Sequence, residues 1–245
     1  MRLRLLVSFL AATLAAHAAT PALLDEAIRK WIADEDHWAY TQHLRLRNGS
    51  KPVEERIERY DPSQPLDRQW QLLSIAGHPP SAAELKSWQR RKAREQKRRD
   101  EQPLADYFDF GHATVAAETA ETVRYDVPLR REASRRIPLE KIAVAVTVNR
   151  SRRELEELAA GLREKFHLAL GAAKVENFGL DVRFRVIDEK FAAQPVEITA
   201  SGWARVVLFF KLGGDAQVGW SDFKRVKPFN DRFDVKLGDL KALDF

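Results

Sequence analysis

Five segments of this chain alternate apolar and polar residues with a period of two. In 37–47, Trp38, Tyr40, Leu44 and Leu46 share one face, while His37, Thr41, His43, Arg45 and Arg47 share the other. The same pattern carries Val123, Tyr125, Val127 and Leu129, then Ile142, Val144, Val146 and Val148, then Leu180, Val182, Phe184 and Val186, and last Phe233, Val235 and Leu237. A β-strand places successive side chains on opposite faces, which a helix cannot do. A polar face opposite an apolar one is the signature of an antiparallel sheet covered on one side only. The expected fold class is therefore α+β: a long curved, largely antiparallel sheet, a half-barrel, with helices packed on one face.

Other stretches fill in the order of elements. Asn48-Gly49 directly after the first alternating run is a strong hairpin signal. Trp203–Lys211 is apolar on both faces and reads as an inner strand, with Gly213-Gly214-Asp215 turning it into a partner at about 217–226. Leu24, Ile28 and Trp31 recur at helical spacing, and Thr20 as N-cap with Pro21 at the first helical position predicts a helix over about 21–33. Ser81-Ala-Ala-Glu84 after Pro79-Pro80 reads as a capping box that opens a second helix. Ser151-Arg-Arg-Glu154 followed by Leu155, Leu158, Ala159 and Leu162 obeys helical rules, yet its neighbours form a meander in which 152–164 is another strand. The meander favours the strand, because tertiary context overrides local propensity.

Composition narrows the chemistry. The 245 residues are 44% hydrophobic and 31% charged, a globular balance, and no apolar run is long enough for a spanning helix. There is no Cys, which excludes thiol catalysis, cysteine-ligated metals and disulfides. Residues 1–18 have the layout of a secretory signal peptide: Arg2 and Arg4, an apolar stretch from Leu5 to Ala16, and an Ala16-His17-Ala18 cleavage pattern. Cleavage there leaves 19–245 as one domain and lowers the formal charge from +5 by the two arginines. With no Cys to receive a lipid, the mature chain is expected to be periplasmic or secreted, without a lipid anchor.

The charge is concentrated. Residues 81–102 hold eight Lys or Arg and four acids, a protruding basic helix whose net charge of +4 exceeds that of the whole mature chain. Arg90, Arg91 and Arg94 are candidates for contact with an anionic surface, and a membrane surface is a candidate partner. A solvated helix that touches nothing is the plain alternative. Nucleic acid is not expected, since the compartment offers none and no recognition module is visible.

Catalytic signals are weak. His37 beside Asp34, Glu35 and Asp36 lacks the spacing of a metal site, so no metal and no cofactor are expected. Ser221-Asp-Phe-Lys224 matches S-x-x-K, but it lies in strand-like alternation and lacks its companion motifs. No enzymatic activity is expected. The aromatic residues of the strands carry more: Trp38, Tyr40, Phe184 and Trp203 are candidates to line an apolar concave face that binds a hydrophobic guest, a lipid or a lipidated protein. The alternative is an envelope scaffold with a solid core, docking through its basic helix.

The order of elements resembles the lipoprotein-carrier superfamily of Gram-negative envelopes, and more closely an uncharacterised branch compared with outer-membrane lipoprotein-sorting factors. The residues that carry the likeness are Tyr60-Asp61-Pro62-Ser63, Trp70-Gln-Leu72-Leu73-Ser74, Gly77-His-Pro79-Pro80 and Glu84-Leu85, then Val207-Leu208-Phe209-Phe210-Lys211 and Ser221-Asp222-Phe223. The resemblance implies a half-barrel whose hollow is covered by helices. It transfers no ligand-contacting residue.

Overall fold

The computed structural model describes residues 20–101, 104–134, 137–168, 173–206 and 210–229. Alternation builds one antiparallel sheet of eleven strands: β1 (Trp38–Asn48), β2 (Glu54–Tyr60), β3 (Trp70–Ile75), β4 (Thr114–Glu118), β5 (Thr122–Asp126), β6 (Ile142–Asn149), β7 (Glu154–Leu162), β8 (Phe166–Leu168), β9 (Ala173–Arg185), β10 (Gln194–Val206) and β11 (Phe210–Arg225). Their spatial order is β3-β2-β1-β11-β10-β9-β7-β6-β5-β4, with β8 paired to β9. Two α-helices, α1 (Ala22–Glu35) and α2 (Ala82–Glu101), accompany the sheet among the described residues. Within segment 152–164, Glu154–Leu162 is a strand, as the meander required, and Arg152 and Arg153 form the turn that leads into it. The alternating run at 232–237 lies outside the described residues.

Directly opposed residues share a sheet face, so the register identifies what each face carries. One row runs Tyr125, Val146, Leu158, Val182, Ile198, Val218, Leu44, Arg56, and the next runs Val144, Ala160, Leu180, Ala200, Ala216, Leu46, Glu54. Both helices sit on this inner face. The outer face carries polar partners: Arg183 lies 3.4 Å from Glu197, Arg45 3.3 Å from Glu55 and Arg124 3.5 Å from Glu157.

The core forms where α1 covers the sheet. Leu24 and Ala27 pack with Val123, Tyr125, Val127, Val144, Val146, Val148 and Leu155. The C-terminal end of α1 is locked by Asp34, which accepts hydrogen bonds from Trp38 Nε1 at 2.9 Å, from Gln194 Nε2 at 3.2 Å and from Arg225. At its start the helix departs from expectation: it begins one residue later than Pro21, which itself occupies the N-cap with no side-chain cap bond. Thr20 therefore plays no capping part.

A second departure concerns the last hairpin. Gly213-Gly214-Asp215 lies inside β11, and the chain reverses between Val206 and Phe210. The glycines serve close approach. A Cβ at Gly213 would strike the Gly202 carbonyl and the Trp203 ring, and one at Gly214 would strike the Arg47 carbonyl. The turn signal and the close-packing signal use the same residue type.

Candidate functional site

Among the described residues the inner face is covered at its two ends and not in its middle. Under α1, Val144, Val146 and Val123 are each 3% exposed. Leu158 and Ala160 of β7 still pack against this α1 core, but farther along the same rows Leu180, Val182, Ile198, Val218, Leu44 and Leu46 are only half-buried. Small residues (Ala200, Ala216) lie between them and lower the floor. The result is an apolar trough across β9, β10, β11 and β1. Four strands at about 4.8 Å spacing make it roughly 14 Å long.

Aromatic rings close the trough toward β3. Tyr40 meets Tyr60 at 5.2 Å, Trp220 at 6.4 Å and Trp70 at 6.2 Å between ring centroids, and Tyr60 and Trp70 are 4.8 Å apart. Beyond them α2 sits on β2 through a buried charged seam. The carboxylate of Glu58, 1% exposed, accepts a hydrogen bond from Trp88 Nε1 at 2.9 Å and holds Lys92 Nζ at 2.6 Å and Arg56 at 3.4 Å. Lys92 also lies 3.7 Å above the Trp70 ring. Burial lowers the Arg56 pKa, while the carboxylates of Glu58 and Glu54 act to raise it.

The expected guest-lining residues take different places. Tyr40 stands on the inner face among the rings just named. Phe184 also lies on that face, half-buried, with its ring edge-on to Trp31 of α1 at 5.7 Å. Trp38 is 3% exposed and packed against Phe191 and Phe223, so it belongs to the core. Trp203 shares its parity with Thr199 and Ser201, which puts it on the outer face, away from the trough. The run from Trp203 to Lys211 is not one inner strand as expected: it takes in the end of β10 and the start of β11, which pair with each other, so reading it as a single strand hid which face Trp203 takes. The trough's aliphatic rows were visible as alternation in β1 and β9; those in β10 and β11 were not, because alanine and glycine dilute them.

The basic helix is partly committed inward. Its capping box forms: Ser81 N and Oγ donate to Glu84 Oε2 at 2.9 and 2.6 Å, and Glu84 N donates to Ser81 Oγ at 3.4 Å. Those bonds hold the Glu84 carboxyl below its ordinary pKa. Arg91 lies 3.7 Å from Glu54, and Arg90 Nε donates to the Lys86 carbonyl at 3.4 Å. Arg94 is exposed, as is every residue from 93 to 98. Among the described side chains of α2, the outward cations are thus Lys86, Arg90, Arg94, Lys97 and Arg98.

A shallow hollow of about 580 Å³ crosses the middle strands, lined by polar residues such as Arg45 and Asp215 and also by Ala160, Leu180, Ala200 and Ala216 of the inner row, with no helix residue in its wall. Its polar side chains belong to the outer face. Ser221 of the S-x-x-K match donates to Asp222 at 3.1 Å, in a strand. No group of three metal-ligating side chains occurs among the described residues. No described helix is long and apolar enough to cross a membrane.

The chain is similar to two solved structures. One is a LolA superfamily protein from Nitrosomonas europaea, with a TM-score of 0.36 and 11% identity over 89% of this chain and 98% of that one. The other is a DUF1329 family protein from Desulfovibrio piger, also with a TM-score of 0.36 and 11% identity, over 90% of this chain and 95% of that one. At this level of superposition no residue is carried across from either. No protein-family profile matches the sequence, and no curated protein does.

Proposed function

We propose that this chain is an exported, non-enzymatic binding protein that holds a hydrophobic guest, a lipid or the lipid of a lipidated protein, against the inner face of its sheet. The observation that carries this reading is the half-buried trough: rows of Leu, Ile and Val that are solid core under α1 continue onto strands that neither helix covers. Burying apolar surface contributes about 25 cal/mol per Å², so a long alkyl chain laid along the trough gains several kcal/mol. In this reading Tyr40 and Phe184, both on the inner face, border the guest. The outward cations of α2, Arg90 and Arg94 among them, suit approach to an anionic membrane surface, at about 1 kcal/mol for each side chain near the headgroups.

Native mass spectrometry of the protein released from the cell envelope tests the reading. Acyl-bearing adducts that leave on mild activation are the expected result; protein that is repeatedly empty contradicts it. The scaffold alternative predicts the empty protein and loss of a protein partner when Arg90 and Arg94 are changed to Glu. Cosedimentation with anionic vesicles that falls with added salt tests the membrane step separately.

A further inference from the structure

The apolar rows of the trough run on into charged residues. Opposite Leu44 on β2 stands Arg56, and opposite Leu46 stands Glu54. Arg56 is 6% exposed, a cation closed in at the α2 seam. Its Nε lies 3.1 Å from Glu54 Oε1 and its Nη1 3.4 Å from Glu58 Oε1. Arg91 of α2 approaches the same Glu54 oxygen, at 3.7 Å. The trough thus leads to a pair of guanidinium groups that lean on one carboxylate oxygen. At about 4.8 Å per strand, β2 lies roughly 19 Å from β9, within reach of a long alkyl chain.

The neighbouring acceptors are already in use. Glu58 Oε1 accepts from the Trp88 indole at 2.9 Å, its other oxygen holds Lys92 at 2.6 Å, and Glu95 lies 3.7 Å from Lys92 as well. The contact of Arg56 with Glu54 is an ion pair and not a hydrogen bond. Arg56 Nε and Arg91 Nε are both shut off from water, and neither has a hydrogen-bond acceptor among the described residues. Guanidinium groups only donate, and a buried donor left unanswered costs free energy. Burial holds the Arg56 pKa down, and the like charge of Arg91 adds to that. Glu54, Glu58 and Glu95 are each paired with a cation, so their repulsion of an incoming anion is largely offset. What this end of the trough lacks is oxygen atoms that carry negative charge. Arg91 keeps 37% of its side chain exposed, so a head group meets it with α2 still seated.

We propose that the guest is an anionic amphiphile whose tail lies along the trough and whose head group, a carboxylate or a phosphate, accepts hydrogen bonds from Arg91 and Arg56 at the β2 end. This assignment rests on the trough reading above and adds to it the chemistry of the head group.

Displacement of the uncharged fluorophore N-phenyl-1-naphthylamine from the delipidated protein tests it. Dodecanoate, dodecyl phosphate and dodecanol serve as competitors at about pH 8, where the carboxylate is ionised. The account expects at least one of the two anions to compete at least about tenfold better than the alcohol. The stronger anion names the source, a free fatty acid for the carboxylate or a phospholipid for the phosphate. Arg91→Gln is expected to close most of that gap and to leave the alcohol unchanged, and Arg91→Lys to keep part of it. Arg56→Gln, where its melt stays cooperative, is expected to act as Arg91→Gln does. Equal competition by all three compounds overturns the head assignment while the trough reading stands. A gap unchanged in Arg91→Gln also overturns it, since the anion is then held elsewhere. If none of the three displaces the probe, the trough reading itself fails and the head assignment falls with it.

Discussion

Asp34 shows how one side chain can tie three elements together. It sits at the end of α1 and accepts from β1 through Trp38, from β10 through Gln194 and from β11 through Arg225. Its removal leaves three donors in a site where water is scarce. Asp34→Ala is expected to cost about 3 kcal/mol in denaturant unfolding, and Asp34→Asn less, because an amide oxygen still accepts from the Trp38 indole. Two other carboxylates act in the opposite sense. Burial pushes the Glu154 carboxyl above its usual pKa, and Arg152 offsets this only in part. Burial and the neighbouring Asp181 do the same to Glu157, against Arg124. A raised pKa means that the folded state binds the proton more tightly than the unfolded chain. These groups thus favour folding below the ordinary carboxyl range and oppose it as pH rises through their folded values. Glu154→Gln is expected to raise the unfolding midpoint at pH 7 and to give no gain near pH 3, a difference that thermal melts at the two pH values resolve.

At the level of the element, α2 is the informative case. Its start was legible in the sequence, because a capping box needs only residues three apart. Ser81→Ala is expected to open the first turn, at a cost of about 1 kcal/mol, visible as faster exchange of the amides at 84 and 85. Its seat was not legible. Glu54, Arg56 and Glu58 look like the solvated parity of a surface strand, and Trp88 looks like an ordinary apolar contact. Only the tertiary pairing turns Glu58 into the one buried carboxylate that holds both Trp88 and Lys92. Removing one partner of a buried ion pair costs about 3–5 kcal/mol. Glu58→Ala is therefore expected to loosen α2 from β2, with faster proteolysis and exchange confined to 82–101 while the amides of β6 and β7 stay protected. Loss of protection across the whole sheet would show that Glu58 serves the fold at large.

For the whole molecule, the sheet could be read from the sequence because period-2 alternation is a direct projection of strand geometry. Tyr125, Val146, Leu158 and Val182 announce their face in the chain and keep it in the fold. The errors came where one residue type serves two physical ends. Gly213 and Gly214 read as a turn and prove to be points of close contact. Trp203 reads as inward and proves to be outward, because the run from Trp203 to Lys211 belongs to two strands, β10 and β11, and within β10 Trp203 shares its parity with Glu197, Thr199 and Ser201. The trough was half legible. Alternation gave the apolar faces of β1 and β9, but no pattern along the chain records where two helices stop covering a sheet. That is a matter of their positions on it, and it is what leaves Leu180 and Ile198 half-buried while Val144 is closed over.

The claim at the centre of this account is that the uncovered trough takes an alkyl chain. Calorimetric titration with palmitate of the delipidated protein and of Ala200→Trp, which fills the floor without touching the α1 core, tests it most directly. The account predicts saturable binding with a negative heat-capacity change in the wild-type protein, weakened at least about tenfold in Ala200→Trp at unchanged stability. Absence of saturable binding, or binding that Ala200→Trp leaves unaltered, would contradict it.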